Sequence, residues 1–445
     1  MLEKCQAIVE RLRSPQVEQV YAELVEESKN QELPVTMARL GFVAASVDEA
    51  INKLQKGIDC LRRQPQAPEW KHPQGIFYRQ TGLKTKGKVV ALFSGQGLQY
   101  LDMGRELPMN FPCLREIYSD IDRLFVQADL EPISEKVFPA PTFDLAEKDS
   151  QAQALQQTEI AQPAIAGLSV GLYKIMQQAG FEPDFLVGHS FGELTALWAA
   201  KALSDEDYFF LVKERGQAMA AKPNSEAGAM LAVQRDVTKI EAVIATFEQI
   251  TIANYNSPQQ LVLAEIKPEI SRIREILQQQ GYSAVLLPVS AAFHTPLVGY
   301  AQEPFARAIE TVPFNKPQIP VFTNVTDNPY PFESQACQKI LKKHLFNQVQ
   351  FKDQIENIYA GGGFCFVEFG PRRILSNFVA EILGDRPHLA VALNSSRQQD
   401  SDRQLREAVV ELRVAGLPLK NHDPYQSEPK IPQAPKNPAL NVRYL

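Results

Sequence analysis

The chain has 445 residues, 44% of them hydrophobic and 22% charged, with a formal net charge of −6. That length suits one large or two to three modest soluble globular domains. The mild acidity, with no long basic run, argues against nucleic acid as a partner, and no stretch approaches the ~20 apolar residues that span a bilayer.

The opening residues, Met1-Leu2-Glu3-Lys4-Cys5, lack the apolar core of a signal peptide. Pro34 to Ala45 reads as a strand. Ser46 then caps a helix, with Glu49 three residues on and Ala50, Ile51, Leu54, Ile58 and Leu61 at helical spacing. Gly75 to Tyr78 reads as another short strand. This small strand–helix–strand unit, residues 1–87, carries no evident chemistry and is expected to pack or link.

Val89 to Phe93 is a continuous apolar strand of the buried parallel type. It runs into Ser94-Gly95-Gln96-Gly97-Leu98-Gln99, a glycine-rich turn whose third fingerprint glycine is replaced by Tyr100, so a dinucleotide loop is not expected. The useful group there is an exposed backbone N–H near Gln96. A helix is predicted over Pro163 to Ala179, closed by Gly180. The β–α–β succession implies a parallel sheet with helices on its faces.

Phe185-Leu186-Val187 leads into Gly188-His189-Ser190-Phe191-Gly192 and then a strong helix former, Glu193 to Ala200. This is G-x-S-x-G between a strand and a helix. The glycines allow a sharp turn that presents Ser190 as a nucleophile beside a helix N-terminus. Hydrolases, thioesterases and acyl transferases share this elbow, and a merely structural turn can fit the pattern too.

From Met230 to Val289 the predicted order is strand, helix, strand, strand, helix, strand, the ferredoxin-like βαββαβ pattern. It reads as an insert, because buried strands resume at Ile319 to Phe322, Phe364 to Phe369 and Leu389 to Leu393. A helix over Asp402 to Ala415 is followed by a proline-rich tail from Lys420 to Leu445, expected to be extended.

Of the six histidines, His294 stands out. It lies in Ser290-Ala291-Ala292-Phe293-His294-Thr295-Pro296, a loop of small residues at the return from the insert, suited to bringing an imidazole into a cleft. A structural histidine is the competing reading. Arg215 follows an acid-led helix start, Ser204-Asp205-Glu206-Asp207. It is either a solvated surface charge or a bidentate partner for a carboxylate. The five cysteines are scattered and never paired as C-x-x-C, which favours reduced thiols in a cytosolic protein. Neither H-E-x-x-H nor a G-K-S/T phosphate loop is present, so no metal site is expected.

Gly95-Gln96-Gly97, Gln162-Pro163-Ala164, Gly188-His189-Ser190-Phe191-Gly192, Arg215, Ala292-Phe293-His294 and Asn324-Val325-Thr326 together resemble the malonyl-CoA:acyl-carrier-protein acyltransferase family. The likeness is greatest to the acyltransferase domains of polyketide and polyunsaturated-fatty-acid synthases. It implies an α/β-hydrolase-like parallel-sheet domain (88–226 and 291–395) with a ferredoxin-like subdomain inserted at 227–290. Residues 1–87 resemble the linker domain after a ketosynthase. Leu412 to Tyr425, ending in Asp423-Pro424-Tyr425, resembles a post-acyltransferase linker, so 396–445 is expected to be that linker and tail.

The resemblance also implies roles. Ser190 is the nucleophile and His294 its base, with the backbone carbonyl of Gln350 orienting the imidazole. Gln96 and Phe191 supply oxyanion-hole N–H groups. Arg215 holds the malonyl carboxylate, and Gln162, Asn254 and Asn256 line the pocket. Phe293, in a pattern similar to that of malonyl-selective members, crowds an α-methyl. Ala291, Gln348 and Gln259 depart from the usual histidine, proline and glycine. No cofactor is held; the substrates are a CoA thioester, malonyl-CoA, and the phosphopantetheine arm of an acyl carrier protein, with an adjacent ketosynthase as neighbour. Two rivals remain: a serine hydrolase or thioesterase using Asp353 and His388, and an inactive docking domain.

Overall fold

The computed structural model describes residues 1–30, 33–220, 228–247, 249–289 and 291–420. The expectations for Ser290, for the insert boundary at 227 and for the tail beyond Lys420, with His422 and Asp423-Pro424-Tyr425, lie outside the described residues. No helix among the described residues is long and apolar enough to cross a membrane.

Three sheets organise the described chain. The first contains β1 (Arg39–Phe42), β2 (Glu69–His72) and β3 (Ile76–Arg79), antiparallel in the order β1-β3-β2. The helix Val47–Arg63 begins as its sequence dictates. The Ser46 side chain accepts from the Glu49 N–H, and Glu49 reaches back to the Ala45 N–H at 2.9 Å. Two helices, Leu2–Leu12 and Val17–Asn30, precede this unit and were not predicted. The strand predicted over 34–45 is confined to four residues. A late helix, Ser401–Ala415, lies on this sheet so closely that a Cβ on Gly41 would come within 2.7 Å of Val410.

The second sheet is the core of the molecule. It contains β4 (Val89–Phe93) and β5 (Phe185–Gly188), joined by strands from later in the chain. Between β4 and β5 runs the helix Thr158–Gln178, buried on nearly every face. It starts a turn and a half before Pro163, which sits inside it.

The third sheet is the insert: β6 (Ala229–Gln234), the helix Val237–Ile244, β7 (Thr251–Ser257), β8 (Gln260–Glu265), the helix Lys267–Gln279 and β9 (Ser283–Leu286). The order β7-β8-β6-β9, antiparallel throughout, is the ferredoxin-like arrangement. It has its own apolar core, centred on Leu231, Ile240, Leu263 and Ile273.

The chain then returns to the central sheet as β10 (Val321–Phe322), β11 (Cys365–Phe369) and β12 (Leu389–Ala392). The order is β10-β5-β4-β11-β12, and each neighbouring pair is parallel. The loops after β4, β5 and β10 therefore gather at one edge, where an open parallel sheet places its chemistry. This is an α/β-hydrolase-like sheet carrying a ferredoxin-like subdomain. The insert is joined to that edge: the Val349 N–H donates to Ala253 and the Tyr255 N–H to Val349, each at 2.9 Å.

Candidate active site

The elbow forms because only glycine fits on either side of the serine. A Cβ on Gly188 would lie 1.9 Å from the Gly192 carbonyl carbon, and one on Gly192 would lie 2.1 Å from the Phe93 oxygen. Between them Ser190 is held at φ 50°, a left-handed conformation that costs a non-glycine residue about 1–2 kcal/mol. The helix Gly192–Ala199 begins directly after it.

The Ser190 hydroxyl lies 2.6 Å from Nε2 of His294. Nδ1 of His294 lies 2.9 Å from the Asn347 carbonyl oxygen. That oxygen only accepts, so Nδ1 carries the proton and Nε2 is free to accept from the serine. The imidazole is buried, and burial, then the charges of Arg215 and His189, push its pKa down to about 3. It is a neutral base across the physiological range.

The carbonyl expected to orient His294 was that of Gln350, and the structure corrects this. Gln350 precedes the helix Phe351–Ala360, and its carbonyl accepts from the Gln354 N–H at 3.0 Å. Pairing of Val349 with the insert directs the oxygen of Asn347, two residues before Val349, to the imidazole.

Arg215 is 1% exposed, on the helix Asp205–Ala220. Its guanidinium carbon is 5.8 Å from the centre of the Phe191 ring. One nitrogen donates to the Gln162 side-chain oxygen at 2.7 Å, while Nε and the other Nη are buried without a partner among the described residues. Burial lowers its pKa, and Glu193 opposes that shift. A buried cation with two unused, adjacent donors is arranged for a carboxylate. Gln162 in turn contacts the Gln96 side-chain oxygen at 3.3 Å, which also accepts from Thr158 at 2.7 Å. The Gln96 and Phe191 backbone N–H groups have no protein acceptor among the described residues.

Phe293 is buried with Ala291 and Ala292 in the main core beside His294. Asn254 and Asn256 are placed differently from Gln162. Nε2 of His189 donates to Asn256 Oδ1 at 2.7 Å, so Asn256 steadies the elbow histidine from the insert, and Asn254 Nδ2 lies beside the same nitrogen at 3.4 Å. The hydrolase alternative is not assembled. His388 precedes β12, at the opposite end of the parallel sheet from Ser190, and its Nδ1 is 2.7 Å from the Arg386 carbonyl. Among the described residues, no group of three or more histidine, cysteine, aspartate or glutamate side chains is placed to hold a metal.

Some groups behind the elbow had no signal in the sequence. Asn324 stands in the motif Asn324-Val325-Thr326, whose residue types alone do not show its role. Its Oδ1 accepts the Ser190 N–H and its Nδ2 donates to the Gly188 carbonyl, both at 2.7 Å. Glu193, Tyr330 and His344 are buried around it.

The acyl transferase domain family matches residues 90–417. A polyunsaturated fatty acid synthase subunit from Thraustochytrium is 33% identical over 407 residues, covering 89% of this chain and 14% of the synthase polypeptide. Malonyl CoA-acyl carrier protein transacylase of Bacillus subtilis is 28% identical over 301 residues, covering 66% of this chain and 90% of the transacylase. The chain thus spans only about one-seventh of the synthase polypeptide but most of the transacylase. The crystal structure of the acyltransferase domain from the second module of the salinomycin polyketide synthase superposes with a TM-score of 0.72 at 27% identity, covering 92% of this chain and 89% of that one. With a serine–imidazole pair at the sheet edge and a buried arginine beside it, the chain belongs to the acyl transferase domain family.

Proposed function

We propose that this chain takes a malonyl group from malonyl-CoA onto Ser190 and passes it to the phosphopantetheine thiol of an acyl carrier protein. His294 accepts the serine proton as the hydroxyl attacks the thioester carbonyl. The oxyanion is bound by the backbone N–H groups of Gln96 and Phe191, each worth ~3 kcal/mol in comparable sites. The thioester C–S bond breaks, CoA leaves as the thiol with the proton from His294, and an acyl-serine ester remains. The carrier thiol then gives its proton to His294 and attacks the ester, and the serine recovers its hydrogen.

The observation that carries this reading is Arg215. Its two unused donors lie in the core beside Phe191, so an acyl group without a terminal carboxylate leaves them unpaired. The transacylase from Bacillus subtilis supports the malonyl assignment, and the relation to a fatty acid synthase supports a carrier protein and a neighbouring ketosynthase as working partners. In this reading residues 1–87 form the linker to that ketosynthase, 88–226 and 291–395 the large subdomain, 227–290 the small one and 396–445 the following linker. All five cysteines are unpaired, which suits a reducing, cytoplasmic setting.

The test is incubation with malonyl-, methylmalonyl- and acetyl-CoA, followed by intact mass and a chase with carrier protein. A malonyl adduct on Ser190 that moves to the carrier is expected. An adduct that is only hydrolysed, or none at all, overturns the reading.

A further inference from the structure

We propose that Glu193 is a positioning residue for the nucleophile, acting through Asn324. The inference rests on the acyl-transfer reading above. Glu193 lies three residues after Ser190 in the first turn of the elbow helix and is completely buried. A lone glutamate there reads as an ordinary acid at a helix start, favoured by the helix dipole and exposed to water. Instead its carboxyl faces inward. One oxygen accepts from the Tyr330 hydroxyl. The other accepts the Asn324 backbone N–H at 2.6 Å and is 3.7 Å from Nε2 of His344.

Asn324 transmits that grip. Its backbone is held by Glu193, and its side-chain amide bridges the elbow, joining the Ser190 N–H to the Gly188 carbonyl. Those bonds clamp the two peptide groups on either side of His189, immediately before the residue whose φ of 50° is unfavourable for serine. The carboxyl thus acts two steps from the reacting hydroxyl. The His344 ring is 5.6 Å from the His294 ring centre to centre and its Nε2 is 3.7 Å from the Glu193 carboxyl, while Nδ1 of His294 is taken by the Asn347 carbonyl rather than by Glu193. It is therefore not the acid of a triad.

The contacts separate a hydrogen-bonding role from a charge role. Arg215, Tyr330, His344 and the Thr323–Asn324 segment all face the carboxyl. A glutamine can still accept the Asn324 N–H with its amide oxygen, while its NH₂ meets the Tyr330 hydroxyl, which can rotate to accept. Positioning therefore survives the loss of charge.

The experiment uses the full chain with malonyl-CoA, following Ser190 acylation, thermal unfolding and the kcat and KM of transfer. Glu193→Ala is expected to lower kcat about 100-fold with KM within ~2-fold, since small displacements of a reacting group have effects of that order. Glu193→Gln is expected to recover most of that loss. The double variant Glu193→Ala/Asn324→Ala should be no slower than Asn324→Ala alone, because both changes cut one chain of bonds. Where Glu193→Ala does not fold, Asn324→Ala carries the test, with the same kcat loss at unchanged KM. Parental kcat in folded Glu193→Ala or Asn324→Ala, an additive double variant, or a Glu193→Gln as impaired as Glu193→Ala overturns the proposal. A parent chain that malonyl-CoA does not acylate instead overturns the acyl-transfer reading.

Discussion

Ser190 and His294, 104 residues apart in sequence, both adopt left-handed backbone conformations, at φ 50° and 62°, and their side chains meet at 2.6 Å. Neither is glycine, so each is held against its own preference by the surroundings. For Ser190 the restraint is the Asn324 bridge. For His294 it is the backbone bond to Leu345 at 3.2 Å and the ring bond to Asn347 at 2.9 Å. Both partners of His294 lie in the short segment that the insert pins through Val349.

The first prediction separates two histidines. His294→Ala is expected to lower Ser190 acylation by roughly 10²–10⁴-fold, the range for a positioned general base. His388→Ala should leave the rate within about 2-fold, as that imidazole faces the Arg386 carbonyl at the far end of the sheet. Rates of adduct formation, read by intact mass, check both. The reverse pattern would restore the hydrolase.

A second concerns pH. With its pKa pushed down to about 3, His294 stays unprotonated well below the usual histidine value of 6.5. The kcat/KM for malonyl-CoA should therefore be flat from about pH 7.5 to 5, without an acid limb near 6.5. Stability behaves differently. Unfolding frees His294 to take up a proton, so its effect on stability turns unfavourable as pH falls below 6.5. Glu193 has the opposite sign. Burial raises its pKa from 4.5 to about 7, so stability is intact below 4.5 and is lost as pH rises through about 7. Thermal unfolding of parent and Glu193→Gln should accordingly diverge between pH 5 and 7, with the variant showing the weaker dependence.

Arg215→Ala is the third. Removing the guanidinium should cut malonyl loading by about 10² to 4 × 10³-fold, the effect of losing a buried charge partner of 3–5 kcal/mol. Acetyl loading should fall far less or rise, so the preference inverts. Competition between the two thioesters, read by adduct mass, decides it. An unchanged malonyl preference would remove Arg215 from the substrate site.

Phe293→Ala is the fourth. If the ring crowds an α-methyl, its removal should raise the methylmalonyl-to-malonyl ratio about 10-fold or more, as one methyl group is worth ~1–3 kcal/mol of discrimination. Competition with mixed thioesters measures the ratio. No change would mean that selectivity is set elsewhere in the pocket.

Much of this was legible because it is written in local patterns. The elbow needs glycine at both Gly188 and Gly192, and the alternation of the insert shows in Met230 to Val233, Leu261 to Ala264 and the helices between. Other features left no mark. The carbonyl that orients His294 belongs to Asn347, and any residue has a carbonyl; only the path of the chain past Val349 selects it. Glu193 reads as a routine first-turn acid, and its burial follows from tertiary contacts with Tyr330 and Asn324. Glu69–His72 was missed because its edge strand is charged and half exposed. The helix at Leu2–Leu12 buries only Cys5, Val9 and Leu12, too sparse a stripe to claim unaided.

The two hydrogen bonds between Val349 and the insert strand, at Ala253 and Tyr255, are made entirely by main-chain atoms. A docking contact written in backbone is indifferent to which side chains flank it. Exchange of residues 229–286 for the matching module of another family member should thus preserve the seating of the imidazole wherever the strand keeps its length. A one-residue deletion before Ala253 should disturb catalysis more than wholesale replacement of the module's exterior.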